Sequence, residues 1–317
     1  MNDKKCSMYS YKGGTGRTVA TANIACILAK SNKKVVCIDM DLDGGGLSVV
    51  FKVSSKVNDL KSRINDTRRC IQDVLRKEWQ YRSENDVIET AYYNEIINED
   101  DFINDWWNKM YIDLGKEWGI NEICEKLYFI PARFGTDSVE TGAEMGHRFN
   151  RFINLLMENI KPDILICDSS SGLQDYSTML IKSCDIIVTF FRWNEQAIEG
   201  TLKCSEYIFN KNPAIKMFLI PTAVPKASLI NEYYRSIHTT GKIRIEGQIS
   251  QINKMFIERN DFDQNKIEFY KNGIGESTAL KWKEELLIFK ENLNEEDINI
   301  LGDYQDVSQK LIELMER

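Results

Sequence analysis

Six short apolar runs recur along the 317-residue chain, and they constrain its fold more than any other feature. Each run is apolar at all or nearly all of its positions, which is typical of strands that are buried on both faces of a sheet. The stretches between the runs are long enough for helices that connect parallel strands. The pattern predicts an α/β fold with a doubly wound, mostly parallel sheet and helices on both faces. The runs lie at 6–9, 35–38, 127–130, 164–167, 186–191 and 217–220.

Two segments interrupt this alternation of predicted strands and helices. Residues 52–125 separate the second and third runs, and they are basic over 52–70 but acidic and rich in Trp and Tyr thereafter. We predict a single domain over 1–317 in which 52–125 is a helical insert. Its aromatic side chains either form a small core of their own or dock a protein partner. We predict that residues 240–317 form a helical C-terminal region packed on the core, with helices near 280–290 and 307–315.

Composition and charge exclude several classes of protein. There are 41 Lys and Arg against 48 Asp and Glu, so a net charge of −7 excludes a wholly basic nucleic-acid coat protein. No apolar stretch resembles a signal peptide or approaches the ~18 residues of a spanning helix. The eight cysteines form no Cys-x-x-Cys pair, which favours reduced core residues over a zinc site or disulfides. We expect a cytoplasmic protein that does not engage a membrane.

A glycine-rich stretch, Tyr-Lys-Gly-Gly-Thr-Gly-Arg-Thr at 11–18, follows the first apolar run and precedes a predicted helix. In that context backbone N–H groups can surround phosphate oxygens at a helix N-terminus. The Thr18 hydroxyl is placed to bind Mg²⁺. The stretch therefore predicts a nucleotide phosphate site. The candidate binding residues are Lys12, Gly13, Gly14, Thr15, Gly16, Arg17, Thr18 and Val19.

Acidic residues follow two of the apolar runs. Asp168 ends one run, where a carboxylate can hold a water ligand of Mg²⁺, and a buried structural carboxylate is the alternative. Asp39 and Asp41 follow another run and share one side if the strand continues, although both can be solvated loop acids. The glycines at 44–46 suit a switch that orders around a γ-phosphate and equally suit a plain turn.

These motifs resemble those of the ParA/MinD group of P-loop ATPases, most closely its KGGVGR-motif variant branch. Residues 12–18 resemble the deviant Walker A motif Lys-Gly-Gly-x-Gly-Lys-Ser/Thr, with Arg17 where the P-loop lysine normally stands. Residues 39–47 resemble the branch's switch segment Asp-x-Asp-Leu-Glu-Ala-Pro-Gly-Leu, and 168–172 resemble its Asp-Ser-Arg-Thr-Gly segment. The likeness covers roughly 4–51 and 127–225.

The resemblance implies that the chain binds ATP with Mg²⁺. It implies that Lys12 reaches across a nucleotide-sandwich dimer to the partner's ATP and that Asp41 orients the attacking water. The metal set implied by the motifs is Thr18, Asp39 and Asp168.

Two further expectations concern turnover and the base. Arg17, a third candidate catalytic residue, is always charged but larger and planar, so we expect turnover well below the ~1–100 s⁻¹ common for kinases. In ParA-like folds, loops after late strands cover the adenine, which points to Thr222 and Pro225. Arg192 is a weaker candidate, since it can equally be a surface arginine.

Three functions compete. The first is a slowly hydrolysing ATPase that acts as a dimerisation switch and recruits a protein partner through 52–125; by resemblance, its settings include partition, membrane-site selection and bacterial phage defence. The alternative is a nucleotide-binding but non-hydrolysing structural subunit of a multiprotein complex. A P-loop kinase is the third, although the Lys-Gly-Gly opening disfavours it. DNA is a weakly supported partner, favoured by the basic stretch 52–70 and disfavoured by the net charge.

Overall fold

A computed structural model describes residues 4–42, 44–53, 70–75, 78–82, 88–92, 102–132, 143–224, 247, 267–276, 280 and 284–317. The candidate base-binding residue Pro225 and most of the basic stretch 52–70 lie outside these residues.

All six apolar runs form strands. The strands of the described residues are β1 Lys5–Ser10, β2 Val35–Met40, β3 Glu78–Arg82, β4 Ile88–Tyr92, β5 Ile112–Asp113, β6 Leu127–Ile130, β7 Ile164–Ser171, β8 Ile186–Arg192, β9 Lys216–Thr222 and β10 Ile267–Phe269. Eight of them form one sheet in the order β10-β9-β8-β1-β7-β2-β6-β5. The pairs β1–β8, β2–β6, β8–β9 and β9–β10 are parallel, and β5 runs antiparallel to β6. The predicted mostly parallel α/β fold is confirmed.

Helices connect most of these strands. They are α1 Arg17–Lys30, α2 Gly46–Val50, α3 Ile71–Leu75, α4 Asn108–Met110, α5 Leu114–Trp118, α6 Ala143–Asn159, α7 Asp175–Ser183, α8 Glu195–Lys211 and α9 Glu295–Glu316. A π-helical turn spans Phe102–Trp107, and 3₁₀ turns span Asn121–Ile123 and Leu287–Phe289. None of the helices in the described ranges combines the length and apolar composition needed to cross a bilayer.

The chain divides into two compact units. The first comprises Met1–Ile27 with Ser169–Arg317, and the second comprises Leu28–Asp168. Each has its own buried apolar core, and each large side chain moved out of water contributes roughly 1.5–3 kcal/mol. Fully buried side chains of the first unit include Met8, Tyr9, Ile24, Phe190 and Phe218, and those of the second include Ile38, Phe51, Phe129, Phe149 and Phe152. All eight cysteines are unbridged and seven are buried, as expected of small core residues.

The segment 52–125 is not purely helical. Its described part contains the antiparallel pair β3–β4 and the short strand β5, so the expectation of a helical insert is wrong for these stretches. The two paired strands have the sequences Glu-Trp-Gln-Tyr-Arg and Ile-Glu-Thr-Ala-Tyr, which are rich in aromatic and β-branched residues. Such side chains favour a pleated surface over a helix.

Aromatic side chains of this segment pack inside the second unit. Trp106 and Trp107 are buried, and the Trp107 ring stacks on Tyr111 with centroids 4.7 Å apart. Trp118 contacts the Phe51 ring at 5.8 Å and donates from Nε1 to the Phe51 carbonyl at 3.1 Å. At these positions the aromatic residues form a core and do not present an exposed docking surface.

The C-terminal region differs from its helical expectation in two places. Ile267–Phe269 is a strand, β10, which pairs with β9 at the edge of the sheet. Near 280–290, where a helix was predicted, the described residues contain only the 3₁₀ turn. The side chain of Asn23 explains this, because it donates to the Glu285 carbonyl at 3.0 Å and accepts from the Leu287 N–H at 2.8 Å. These bonds satisfy backbone groups that a helix would otherwise pair.

Helix α9 is longer than the predicted 307–315. Asn294 and Asp297 form a reciprocal capping box, which starts the helix at Glu295. On its inner face Val307, Leu311 and Leu314 are buried.

Asp303 on α9 should make the stability of the protein depend on pH. Its Oδ2 accepts from the Gly275 N–H at 2.9 Å, while burial raises the pKa of its carboxyl group above the usual value and the nearby Asp306 adds to that rise. A carboxyl group with a raised folded-state pKa binds its proton more tightly in the folded state. Its ionisation therefore lowers stability as pH rises above the unfolded value of about 3.9.

We expect Asp303→Asn, which keeps an acceptor for Gly275, to be more stable than wild type at pH 7. The difference should vanish below pH ~4, where both side chains are neutral. Urea unfolding of both proteins across this pH range measures it. Equal stability of the two proteins at pH 7 would contradict the expected cost of placing a charge at this half-buried position.

Candidate functional site

The glycine-rich loop joins β1 to α1 in the first unit. Gly14 and Gly16 have φ angles of +73° and +76°, a region that residues with a Cβ atom rarely adopt. Apart from the adjacent residues, no heavy atom of the described part of the chain lies within 4 Å of the position that a Cβ would take at either glycine. Helix α1 begins directly after Gly16, and the first N–H groups of a helix have no carbonyl partner within the helix, so this N-terminus is suited to an anion.

The side chains of the loop differ in exposure. Lys12 is exposed, and its Nζ lies 6.0 Å from the centroid of the Tyr11 ring. Thr15 and Val19 are buried, whereas Thr18 is half-buried. The side chain of Lys12 is therefore accessible from solvent.

Arg17 is buried within its own unit. Its Nη1 donates to Ser10 Oγ at 3.3 Å, and its Nη2 donates to Thr18 Oγ1 at 3.4 Å. The guanidinium thus contacts the last residue of β1 and the hydroxyl group predicted to bind Mg²⁺. A hydroxyl oxygen has two lone pairs, so Thr18 retains the capacity to bind a cation.

The corner between β8 and α8 contacts the loop at two points. Arg192, the last residue of β8, donates from Nε to the Gly14 carbonyl at 2.7 Å. On α8, a Cβ at Gly200 would overlap the Tyr11 ring, so the glycine leaves room for that side chain. From its sequence position, Arg192 was a candidate base contact or a surface residue, and Gly200 was not a candidate for the site. The position of Arg192 at the end of an apolar strand could have placed it here, since the carboxyl ends of parallel strands share one edge of a sheet.

The polar end of β7 also borders the loop. The Gly172 N–H donates to the Ser10 carbonyl at 3.0 Å. The Oγ atom of Ser171 lies 3.9 Å from the position of a Cβ at Gly13. The segment that resembles the family's Asp-Ser-Arg-Thr-Gly motif therefore bonds to the end of β1 and lies beside the start of the loop.

In the second unit, Asp39 and Asp168 occupy equivalent positions on neighbouring strands. Each is the fifth residue of its strand, β2 or β7. The N–H groups of Asp163 and Ile164 both donate to the Lys34 carbonyl, so the two strands start at the same edge of the sheet. The two aspartates consequently lie at the same level, near the carboxyl ends of their strands.

Both carboxyl groups suit a magnesium ion. Asp39 and Asp168 are fully buried, at 0% exposure, and Asp39 Oδ1 accepts from the Asp41 N–H at 3.1 Å. Burying an ionised carboxylate is costly unless it is paired or binds a metal. Carboxylate oxygens are also preferred ligands of Mg²⁺, directly or through water. The chemistry of these residues therefore fits the ion that the motifs imply.

Asp41 lies at the start of a tight turn in the same unit. Its carbonyl accepts from the N–H groups of Gly44 and Gly45 at 3.2 and 2.9 Å. A Cβ at Gly44 would lie 2.8 Å from Asp41 Oδ2. The alanine that stands at this position in the resembling family pattern would therefore displace the carboxylate.

Thr222, a candidate base contact, lies at the end of β9. It is buried, and its hydroxyl donates to the Phe191 carbonyl at 3.3 Å. The hydroxyl thus ties β9 to β8 in this structure.

Comparisons with known proteins place this site in a family context. Residues 7–280 match the family model described as the CobQ/CobB/MinD/ParA nucleotide binding domain. An uncharacterized ATP-binding protein of Methanocaldococcus jannaschii is 41% identical over 64 residues, which are 20% of this chain and 24% of that protein. The match to this curated relative therefore spans only about a quarter of its length.

Solved structures show the same fold along nearly the whole chain. A putative plasmid partition protein from Borrelia burgdorferi bound to AMPPNP has a TM-score of 0.58 at 17% identity, covering 98% of this chain and 100% of that one. The MinC:MinD cell division protein complex of Aquifex aeolicus gives a TM-score of 0.57 at 14% identity, covering 98% and 96%. Because the family model spans well over half of the sequence, the chain belongs to the CobQ/CobB/MinD/ParA nucleotide-binding domain family.

Proposed function

We propose that the chain is an ATPase that binds ATP with Mg²⁺, hydrolyses it slowly and uses the nucleotide to control dimerisation and partner recruitment. The loop between β1 and α1 carries the proposal. It combines two left-handed glycines, an open helix N-terminus and an exposed lysine at position 12. That arrangement is suited to polyphosphate, and the family is one of nucleotide-binding domains.

Each candidate residue has a role in this proposal. The backbone N–H groups of residues 13–19 bind the phosphates, and Thr18, Asp39 and Asp168 hold the magnesium ion. The ion neutralises phosphate charge when bound. Asp41 accepts a hydrogen bond from the attacking water and orients it. We propose that Thr222 and Pro225 contact the adenine base.

Slow turnover is supported by the contacts of Arg17. In P-loop proteins the residue at this position is a lysine that reaches the β- and γ-phosphates. Here the guanidinium donates to Ser10 and Thr18 and so engages its own loop. Nucleotide binding through the backbone is unaffected by this arrangement, whereas stabilisation of charge on the γ-phosphate is weakened.

Dimerisation and recruitment rest on Lys12 and on the segment 52–125. Lys12 is exposed, and in the resembling group this lysine crosses to the nucleotide of a second copy. We propose that a protein partner binds through 52–125, the part of the chain whose composition departs most from the rest. The setting we propose is a bacterial partition or phage-defence system in the cytoplasm. Plasmid partition is the role named for the Borrelia burgdorferi neighbour, and MinD is solved with MinC.

The same contacts of Arg17 favour a second candidate. If the guanidinium stays bound to Ser10 and Thr18 in the ATP complex, the chain is a structural subunit that binds nucleotide without hydrolysing it. Phosphate release from purified protein separates the two candidates, since only the switch releases phosphate.

Light scattering after size exclusion tests the dimerisation switch. We expect wild type to be monomeric alone and dimeric with ATP and Mg²⁺, and Asp41→Ala to stay dimeric for longer because hydrolysis is slower. Lys12→Ala should remain monomeric under both conditions. Lys182→Ala, which removes another exposed lysine in the same unit, is the control and should dimerise like wild type. A wild-type monomer throughout, or a dimer that ignores nucleotide, would contradict the switch.

A further inference from the structure

Arg192 holds one particular peptide of the phosphate loop. Its Nε lies 2.7 Å from the Gly14 carbonyl oxygen, within the range of strong charge-assisted hydrogen bonds. The backbone of Arg192 is itself constrained, because its carbonyl accepts from the Asn194 N–H at 2.8 Å and Asn194 caps α8. The donor is therefore delivered from a rigid strand-to-helix corner.

The bonded carbonyl belongs to the peptide group that also contains the Thr15 N–H. A trans peptide is planar, so its C=O and N–H point in opposite directions. Fixing the Gly14 carbonyl on Arg192 therefore fixes the direction of the Thr15 N–H on the other side. Since Gly14 has a φ of +73° and no side chain, its own conformation does little to prevent this peptide from rotating.

A second contact from the same corner restrains the other end of the segment. The Tyr11 ring occupies the space left by the absent side chain of Gly200 on α8. The residues between these two contacts, Lys12 and Gly13, lie in a stretch that is held at both ends by β8 and α8. The corner thus restrains the part of the loop that has no helical hydrogen bonds of its own.

We infer that Arg192 is a positioning residue of the phosphate site, which acts through its Nε hydrogen bond to Gly14 and keeps the Thr15 N–H aimed at bound phosphate. This rests on the proposed function, because it assumes that phosphate binds at this loop. The role belongs to the Nε donor and not to the positive charge of Arg192. That distinction predicts how three substitutions of Arg192 rank in their effect on Mg-ATP affinity.

Glutamine, lysine and alanine separate the donor from the charge. In Arg192→Gln the amide nitrogen occupies the place of Nε, so a donor remains while the charge is lost. In Arg192→Lys the charge remains, but a methylene group stands where Nε was. Arg192→Ala removes both. We expect Mg-ATP affinity, measured by isothermal titration, to fall about tenfold in the alanine and lysine variants and by less than about threefold in the glutamine variant.

Hydrogen exchange of the nucleotide-free protein tests whether Arg192 restrains the loop in the absence of ATP. Peptides covering 11–16 should lose protection in Arg192→Ala and Arg192→Lys and keep it in Arg192→Gln. Because Arg192 is exposed, all variants should unfold at the wild-type temperature. Wild-type affinity in the lysine variant with a loss in the glutamine variant would overturn the inference, as would unchanged exchange in all three. Wild-type protein that fails to bind Mg-ATP would instead refute the proposed function. The exchange result would still show whether Arg192 restrains the loop.

Discussion

An Asp41→Asn variant should bind Mg-ATP with near wild-type affinity and release phosphate at least ~100-fold more slowly than wild type. Asparagine has the shape of aspartate, but its neutral amide oxygen accepts a hydrogen bond from water more weakly than a carboxylate oxygen does. It therefore orients the attacking water less well. The turn around residue 41 should survive, because it is closed by the backbone carbonyl of Asp41 and the N–H groups of Gly44 and Gly45.

Single-turnover phosphate release with enzyme in excess over ATP gives the rate even for a slow enzyme. Asp175→Asn is a suitable control, because Asp175 is exposed in the first turn of α7 and has no proposed role. It should leave the rate unchanged. An Asp41→Asn protein that hydrolyses ATP at the wild-type rate would show that another residue orients the water.

The second large predicted effect is the loss of stability in a Gly115→Ala variant. Gly115→Ala should destabilise the protein by about 3 kcal/mol or more, because a Cβ at this position would lie 2.5 Å from Cys124 Cα and 2.6 Å from the Ile123 carbonyl carbon. These are backbone atoms, which no side-chain rotation can move aside. The backbone there is also held in place, since Glu125 donates its N–H to Asp113 Oδ2 at 3.0 Å and Ile120 donates its N–H to Gly115 O at 2.9 Å.

Thermal unfolding measures this loss, at about 2–4 °C per kcal/mol for a unit of this size. The matched control is Gly146→Ala on α6 in the same unit, where the added Cβ would lie more than 4 Å from every described heavy atom outside its own stretch of helix. Alanine in a helix is favoured over glycine, so this control should be as stable as wild type or up to ~1 kcal/mol more stable. Equal unfolding temperatures for the two variants would mean that the 121–124 segment moves away at little cost.

The parallel sheet was predictable because burial on both faces leaves a signature in consecutive residues. Val35–Ile38 and Ile164–Cys167 are apolar at every position, and each lies in a strand of the sheet. The strands of 52–125 were missed because each is only five residues long: β3 alternates polar and aromatic residues, and β4 shows no regular alternation. Short alternating segments do not separate strand from helix by periodicity alone.

The candidate site was predictable where one contiguous motif provides the geometry. The left-handed angles at Gly14 and Gly16 follow from their place in the glycine-rich loop, and so does the start of α1 directly after it. Arg192 and Gly200 were not predictable in the same way. Each acts on a residue more than 170 positions away in the chain. The sequence indicates at most that Arg192 lies at the carboxyl edge of the sheet, and it does not show which loop residue either position contacts.

The sequence by itself determined the fold class, the glycine-rich loop before α1 and the identity of the candidate chemical groups, because apolar periodicity and glycine conformation act over a few neighbouring residues. Only the tertiary structure decided how those groups are used. It turned Arg17 toward Ser10 and Thr18, fixed the Gly14 carbonyl on Arg192, and replaced a predicted helix near 287 with a turn bound to Asn23. Each outcome depends on hydrogen bonds whose geometry or distant partner is set when the chain folds, and side-chain identity alone does not specify that choice.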